Sequence, residues 1–377
     1  MSNKKIGILT YHFANNFGAV FQAYAMQRLL TSLGYDSEFI DYQPSHVEHG
    51  GSFRLPTSKR SVKANVVTAY QKVTTLKQRV LGDGGRAEKF RQFREENLVV
   101  GTCRYKSLND LKTNRPAYDC VVCGSDQIWN SSVQFGIDPA YFLDFGKAQM
   151  KRVSFAPSFG KGAVDTENEL KVGQLLKRFD HLSVRESSGV DIVRRLAERE
   201  ATCVPDPTLM FDDYQEITST TTEKDAYIMS YVLRSAEMVT DVQLLVAEHL
   251  GLPLIVPNDR FLKKRKIGKA IDPTPSQWLG YFRDAKFVVT NSFHGTAFSI
   301  ILRKPFISVG ITGRKSGVND RAKSLLERLG LQDRFVDRFD IASIKQKISE
   351  PIDWDKATSR LSTWRKESND FLTRSLS

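Results

Sequence analysis

The 377-residue sequence has few cysteines, few histidines and no long apolar run, and each scarcity excludes a class of protein. Four cysteines in a chain of this length do not make a disulfide framework, which excludes a small scaffold held together by disulfides. No stretch approaches the ~20 uncharged apolar residues that a membrane-spanning helix needs. The chain runs from Met1 directly into a strand-like segment, so we expect an unexported, cytoplasmic protein.

The cysteines also offer little for a metal site. Only Cys120 and Cys123 have the spacing of a redox or zinc half-site, and both lie in the apolar run 118–123. No second half-site follows them. We therefore interpret them as buried residues of a strand; the alternative, a redox pair, would need a helix start directly after it. We expect no metal and no bound cofactor.

Positive charge is what the sequence has in excess. Lysine and arginine number 55 against 43 aspartates and glutamates, a net charge of +12, and most of the surplus falls within residues 54–115. Apolar residues at helical spacing, with lysines between them, predict a basic amphipathic helix over 62–81. Such a helix docks on its own core, lies on an anionic membrane or binds nucleic acid. Docking is the favoured interpretation, and we expect no nucleic-acid binding because no RNP-like or finger motif is present.

Strand and helix patterns alternate along the chain. Lys5–Tyr11 is apolar and strand-like, Ala19–Leu33 repeats apolar residues at helical spacing until Gly34, and Ser37–Tyr42 is strand-like again. These segments predict a βαβ unit of a parallel sheet. The alternation resumes from residue 119 and is repeated from residue 226, after an irregular, proline-containing stretch.

The predicted fold class is therefore α/β, with two doubly wound, Rossmann-like domains facing a cleft. We place the first domain at residues 1–212, with a basic helical insertion at about 54–115, and the second at 213–350. Residues 351–377 contain a polar terminal helix, which we expect to cross back to the first domain. Ligands of open α/β sheets bind at the carboxyl ends of the strands, so the site should lie at the cleft.

The most informative short segment is 290–297, where a strand ends in small polar residues and a histidine just before a predicted helix at Thr296–Leu302. Backbone N–H groups of a helix start, with the hydroxyls of Ser292 and Thr296, suit a carboxylate or phosphate, and His294 can exchange a proton near neutral pH. The alternative is that Ser292 and His294 only cap the helix.

Two further clusters of polar residues also follow predicted strands. Arg185 suits bidentate binding of an anion; alternatively, it makes only a surface charge pair with Glu186. The Asp126 carboxylate has the chemistry of a general base or of a group that binds a sugar hydroxyl. Alternatively, it caps a helix, with Trp129 packed below it.

Together and in this order, these segments resemble the polysaccharide pyruvyl transferase family. The matching stretches are Ile6–His12, Asn15–Ala19, Val122–Trp129, Ser154–Gly160, Ser183–Glu186, Asp206–Leu209 and Asn291–Gly295. Each motif is weak alone, whereas the ordered set spans about residues 5–330. The resemblance departs at Phe293, where many members carry arginine.

The resemblance implies a fold similar to the two-domain GT-B glycosyltransferases and transfer of the enolpyruvyl unit of phosphoenolpyruvate to a sugar as a pyruvate ketal. It implies that Arg185 and His294 contact the donor, and we assign catalysis to His294, Arg185 and Asp126. The full set expected to bind the donor is Arg185, Asn291, Ser292, His294, Gly295, Thr296, Arg314, Lys315 and Arg321.

The acceptor is expected on the first domain, as a lipid-linked saccharide at the inner face of the cell membrane, where the basic region would contact anionic lipid. The residues expected to bind it are Tyr11, His12, Asn15, Asn16, Gly18, Asp126 and Gln127. Two other functions fit the same residues: a nucleotide-sugar glycosyltransferase of the same architecture, and a non-catalytic basic adaptor.

Overall fold

The computed structural model describes residues 4–48, 65–66, 68–69, 73, 85–233, 237–257 and 267–377. Most of the predicted basic helix at 62–81 lies outside these residues. The chain forms two compact units, residues 1–207 with 369–377, and residues 208–368. The sequence predicted a division at residue 212. Among the described residues, no helix is both long and apolar enough to cross a membrane.

The first unit is built on a five-stranded sheet whose paired strands are all parallel. The strands are β1 (Lys5–Leu9), β2 (Asp36–Tyr42), β3 (Val100–Tyr105), β4 (Cys120–Cys123) and β5 (Lys151–Ser154). Their spatial order is β3-β2-β1-β4-β5, so the order reverses between β1 and β4. This is a doubly wound sheet, a type that binds ligands at the carboxyl ends of the two strands between which the order reverses.

Helices connect these strands, because parallel neighbours need a crossover. They are α1 (Phe17–Ser32), α2 (Ser45–Glu48), α3 (Arg86–Asn97), α4 (Leu108–Thr113), α5 (Thr166–Leu176) and α6 (Ser187–Ala197). As predicted, α1 ends just before Gly34, whose φ of 82° lies in the left-handed region that glycine adopts easily. Two short strands, β6 (Ser183–Val184) and β7 (Thr202–Cys203), pair with each other beyond β5.

The core of the first unit confirms the interpretation of the cysteines. Trp129 is buried and stacks on Phe142 at 5.0 Å. Its indole Nε1 and the Cys123 thiol both donate to the Tyr141 carbonyl, at 2.9 and 3.0 Å. Burial raises the pKa of Cys123 and brings the pKa of Cys120 to about 12. Both cysteines are therefore packing residues of β4.

The second unit repeats the same design with six strands. They are β8 (Ile228–Tyr231), β9 (Leu254–Pro257), β10 (Lys269–Ile271), β11 (Phe287–Thr290), β12 (Phe306–Val309) and β13 (Phe335–Val336). All pairs are parallel, in the order β10-β9-β8-β11-β12-β13, so the order reverses between β8 and β11. The predicted α/β fold with two Rossmann-like domains is confirmed.

Six α-helices accompany these strands in the described part of the chain. They are α7 (Glu237–Leu250), α8 (Pro275–Asp284), α9 (Phe293–Ile301), α10 (Asp320–Leu329), α11 (Ile341–Ser349) and α12 (Trp354–Leu376). Trp278 of α8 is fully buried, with its ring 5.3 Å from Phe298 of α9. Residues Asn369–Ser377, at the end of α12, belong to the first unit, where Lys4 Nζ donates to the Leu376 carbonyl at 2.9 Å.

The prediction for α9 was wrong at its start. The helix begins at Phe293 rather than Thr296, because the Ser292 hydroxyl accepts a hydrogen bond from the Gly295 N–H at 3.3 Å and caps it. His294 is therefore the second residue of the helix, inside its first turn.

Candidate functional site

In the first unit, the loops after β1 and β4 are joined where the strand order reverses. The Thr10 hydroxyl donates to the Ser125 carbonyl at 2.7 Å, and Gln22 of α1 donates to the same hydroxyl at 3.0 Å. All three residues are completely buried. The two loops that carry most of the predicted acceptor residues are thus fixed to each other by a buried hydrogen-bond chain.

Beside the β1 loop lies a cavity of about 550 Å³, which we call the arginine cavity. Its lining residues are His12, Phe13, Asn15, Asp41, Gln43, Arg91, Arg94, Glu95, Leu98, Val100 and Arg104. Of the predicted acceptor residues, His12 and Asn15 line it. The others shape its surroundings: Asn16 caps α1 through the Ala19 N–H at 3.2 Å, Gly18 is buried in α1, and Tyr11 packs its ring 5.1 Å from Tyr141.

His12 and Asp41 are paired at the edge of this cavity. His12 Nε2 lies 3.4 Å from Asp41 Oδ1, and His12 Nδ1 lies 3.2 Å from the Thr10 carbonyl oxygen. Arg104 Nε and Gln43 Nε2 donate to the same carboxylate at 2.8 and 2.6 Å. Despite burial, hydrogen bonds from His12, Arg104 and Gln43 lower the pKa of Asp41 to about 2. Asp41 is therefore an ionised carboxylate that accepts from Arg104 and Gln43 and lies beside the His12 ring.

Asp126 lies in the loop after β4 with a φ of 78°, in the left-handed region that non-glycine residues seldom adopt. Its Oδ1 accepts from the Gln127 N–H at 2.7 Å, and its carbonyl accepts from the Ser158 N–H at 2.9 Å. No helix begins at this position, so the alternative interpretation of Asp126 as a helix cap was wrong. Trp129, three residues later, is buried.

The Asp126 carboxylate also acts on Tyr11. Burial raises the pKa of Tyr11 well above its ordinary value, and the negative charge of Asp126 raises it further. The phenol of Tyr11 therefore stays protonated beside the half-buried carboxylate. Gln127, the remaining predicted acceptor residue, accepts from Asn130 Nδ2 at 2.9 Å and is half-buried.

Arg185 is buried in an ion pair. Its Nη1 lies 2.8 Å from Asp206 Oδ2, and the Ser125 hydroxyl donates to the same oxygen at 2.6 Å. The Arg185 side chain is only 1% exposed, and Glu186 Oε2 lies 3.9 Å from its Nε. The alternative of a surface charge pair was therefore wrong, because both members are buried. The predicted contact of Arg185 with a donor stays a prediction.

Three acidic residues of this region were missed as functional candidates. Asp206 holds Arg185, Asp41 anchors the arginine cavity, and Glu186 Oε1 accepts from the Ser158 hydroxyl and the Phe159 N–H, both at 2.9 Å. In the sequence, Asp41 follows an apolar run and Asp206 precedes a proline. Either position could have marked the carboxylate as a functional candidate. A buried carboxylate persists only when it is paired, so such positions point to a network.

In the second unit, the loops after β8 and β11 meet where the strand order reverses. Asn291 Oδ1 accepts from the Leu233 N–H at 2.9 Å, and the Thr290 hydroxyl donates to the Tyr231 carbonyl at 2.6 Å. His294, in the first turn of α9, is 7% exposed, and its ring lies 5.3 Å from that of Phe293. Of the predicted donor residues, Asn291, Ser292 and His294 are thus brought together at a helix start.

Two other predicted donor residues fix the helix against the sheet. A Cβ at Gly295 would lie 2.2 Å from Thr290 Oγ1, so the close approach of α9 to β11 requires glycine. Thr296 is fully buried, and its hydroxyl lies 3.1 Å from the Ser292 carbonyl and 3.0 Å from the Ser308 hydroxyl. Their contact with a donor stays a prediction.

The three predicted basic residues lie beyond β12. Arg314 and Lys315 fall in the short helical turn Gly313–Asn319, and their side chains are outside the described part of the structure. Arg321 is half-buried on α10. Asn319 holds this loop by bonding the Ile311 N–H and carbonyl at 2.8 and 2.9 Å. In the described ranges, no cluster of three or more histidine, cysteine or acidic side chains is arranged to hold a metal ion.

Comparison with solved structures gives the same architecture. A protein assigned as a UDP-N-acetylglucosamine 2-epimerase from Listeria monocytogenes shares 10% identity over 98% of this chain and 90% of its own, with a TM-score of 0.52. Arabidopsis thaliana UGT89C1, complexed with UDP-L-rhamnose, shares 10% identity over 98% of this chain and 95% of its own, with a TM-score of 0.46. At 10% identity, the similarity to the Listeria monocytogenes protein shows only that this chain has a two-domain, GT-B-like fold. No curated protein sequence matches the chain.

The family comparison is more specific. The polysaccharide pyruvyl transferase model matches residues 16–312, which contain α1, Asp126, the Arg185–Asp206 pair and the His294 helix start. The match covers well over half of the 377 residues. The chain therefore belongs to the polysaccharide pyruvyl transferase family.

Proposed function

We propose that this protein transfers the enolpyruvyl unit of phosphoenolpyruvate to a saccharide and forms a pyruvate ketal. The family match over residues 16–312 carries the proposal, because it identifies a transferase acting on polysaccharides. The buried start of α9 supports it. Backbone N–H groups at a helix start, beside His294 and Ser292, suit the carboxylate or phosphate of such a donor.

In the proposed reaction, His294 acts as general acid and delivers a proton to the methylene carbon of phosphoenolpyruvate. One sugar hydroxyl adds its oxygen to the resulting cationic carbon and loses its proton. A second hydroxyl oxygen then forms the other C–O bond of the ketal as the bond to phosphate breaks. Of the two hydroxyl protons, one replaces the proton taken into the new methyl group, and the other leaves with phosphate.

Asp126 is a better candidate than His12 for removing the hydroxyl proton. Both ring nitrogens of His12 face oxygen acceptors, at Thr10 and Asp41, which leaves neither directed to a substrate. Asp126 is half-buried, and its strained backbone is the kind of feature that persists at functional sites. Arg185 would stabilise negative charge on the donor, with its guanidinium oriented by Asp206.

The donor is tested by calorimetry with phosphoenolpyruvate and with UDP-glucose, on the purified protein and on His294→Asn. His249→Asn is the matched control, because His249 is an exposed histidine of the same unit that contacts Ser349. We expect binding of phosphoenolpyruvate that is lost in His294→Asn and kept in the control. Binding of UDP-glucose alone would instead favour a nucleotide-sugar glycosyltransferase, and binding of phosphoenolpyruvate kept in His294→Asn would remove His294 from the site.

We further propose that the acceptor is lipid-linked and is met at the cytoplasmic face of the membrane. The support is the basic segment 54–115, which holds much of the excess positive charge of the chain. Co-sedimentation with phosphatidylglycerol vesicles, against phosphatidylcholine vesicles, tests this idea. We expect binding only to the anionic vesicles, weakened when Lys59, Arg60 and Lys63 are changed to glutamate and kept in Arg194→Glu. Equal binding to both vesicle types would contradict it.

A further inference from the structure

The arginine cavity has the size and lining of a ligand site. Its volume of about 550 Å³ lies within the ~300–1,000 Å³ of small-molecule sites. Four elements contribute its lining residues: the loop after β1, the end of β2, helix α3 and strand β3. The loop after β1 follows the carboxyl end of a strand at the reversal of strand order, where doubly wound sheets bind ligands, and the cavity extends from this loop toward β2 and β3 rather than toward β4.

Two arginines of helix α3 form hydrogen bonds with Asn15, which lines this cavity. Arg94 Nη1 donates to Asn15 Oδ1 at 3.0 Å, and Arg86 Nη2 donates to the Asn15 carbonyl at 3.4 Å. The Arg86 guanidinium also lies over the rings of Phe17 and Phe90, at 5.1 and 5.0 Å. These contacts hold the arginine-bearing face of α3 against the β1 loop. They also fix the orientation of the Asn15 amide.

The lining carries more positive than negative charge. Three guanidinium groups, of Arg91, Arg94 and Arg104, face the cavity with two carboxylates, of Asp41 and Glu95. Arg91 Nη1 lies 2.6 Å from Glu95, and Arg104 Nε lies 2.8 Å from Asp41. With His12 left out of the count, the lining has a surplus of one positive charge. Just outside the lining, Glu88 accepts from Arg91 Nε at 2.9 Å and Arg86 donates to the Asn15 carbonyl at 3.4 Å, so these two charges offset each other. A guanidinium recognises a carboxylate or phosphate through paired N–H donors.

The rest of the lining suits a sugar. Asn15 and Gln43 add amide groups that both donate and accept, as sugar hydroxyls do, and Phe13 adds an aromatic ring. Planar polar groups around an aromatic face hold a saccharide by hydrogen bonds and by contact with its C–H face.

We propose that the arginine cavity binds an acidic saccharide, a hexose unit carrying either a uronate carboxylate or a phosphate ester. Arg94 and Arg104 are its specificity-determining residues. Within the proposed function, on which this inference rests, that hexose is part of the acceptor. A hexose unit and its charged group fit a cavity of this size, and the surplus positive charge disfavours a basic sugar.

Calorimetry with three probes tests the proposal: methyl glucoside, methyl glucuronoside and glucose 6-phosphate. The variants are Arg94→Gln and Arg104→Gln, and Arg194→Gln is the control, because Arg194 is a 57% exposed arginine of the same unit that pairs with Asp191. We expect the protein to bind at least one acidic probe about tenfold more tightly than methyl glucoside. Arg94→Gln should abolish this preference, and Arg194→Gln should keep it.

The two acidic probes distinguish the carboxylate from the phosphate as the recognised group. Equal affinity for the neutral and acidic probes, no binding of any probe at concentrations on the order of 10 mM, or an unchanged preference in Arg94→Gln would overturn the proposal. If Arg104→Gln unfolds because Asp41 loses its partner, Arg94→Gln decides alone.

This outcome is separable from that of the proposed function, because the measurement needs no phosphoenolpyruvate. Selective binding of an acidic probe without binding of phosphoenolpyruvate would keep the cavity assignment and refute pyruvyl transfer. Binding of phosphoenolpyruvate that is lost in His294→Asn, without any selectivity among the sugars, would support pyruvyl transfer and refute the cavity assignment.

Discussion

Arg185 and Asp206 form a buried ion pair, with 2.8 Å between Nη1 and Oδ2, although 21 residues separate them in the chain. Ser125 donates to the same carboxylate oxygen, so the loop after β4 is joined to Arg185 after β6 and to Asp206 after β7. A guanidinium held in this way loses little conformational entropy when it meets an anion. The pair is thus both a structural element and a means of orienting Arg185.

Asp206→Asn should destabilise the first unit strongly, because it leaves the Arg185 charge buried without its carboxylate. The expected loss in the free energy of unfolding is about 3–5 kcal/mol. Urea unfolding measures it. The double variant Arg185→Met, Asp206→Leu should recover most of the loss while failing to bind phosphoenolpyruvate. An Asp206→Asn protein as stable as the parent would contradict the buried pair.

Gly295→Ala should destabilise the second unit by about 1–3 kcal/mol, because its Cβ would lie 2.2 Å from Thr290 Oγ1. The shift of α9 would also displace His294. In the Thr290→Ala background the same substitution should cost less, since the closest atom is gone. A double-mutant cycle by thermal unfolding measures this coupling, and strictly additive effects would show that the helix does not press on that hydroxyl.

Asp41 should make the protein less stable in acid. Its pKa in the folded state is about 2, below the ordinary value of 3.8, so its contribution is complete above the unfolded value and is lost as pH falls toward 2. The contribution is about 2 kcal/mol. Between pH 7 and pH 2, the free energy of unfolding in urea should therefore fall less for Asp41→Asn than for the parent protein. Asp191→Asn, which changes a 77% exposed carboxylate, should keep the parent's profile.

The thiols should react in the order of their exposure. Cys103 is exposed, Cys203 is half-buried, and burial raises the pKa of both Cys120 and Cys123. A thiol reagent such as dithionitrobenzoate should label Cys103 first in the native protein. Cys120 and Cys123 should react only after unfolding in guanidinium. Rapid native labelling of either would contradict their packing in β4.

Much of the fold could be predicted because the apolar pattern is local. The β1, α1 and β2 segments, and β11 at Phe287–Thr290, alternate or repeat with the period of their structure, and Gly34 marks a helix end. Strand β3 was missed because it lies in the basic region 54–115, where charge obscured its strand pattern and three of its residues are exposed. Helix α9 was started too late because the cap at Ser292 has no acidic residue three positions later.

The sequence by itself determined the family, the two Rossmann-like domains and the position of His294, Arg185 and Asp126 after strands, since these depend on order and spacing along the chain. Only the tertiary structure decided that Arg185 is held by Asp206, and that His12 and Arg104 meet at Asp41. These partners come from different loops and strand ends. Which charges pair depends on sheet order and loop path, because burial permits a charge only where the fold brings it a partner.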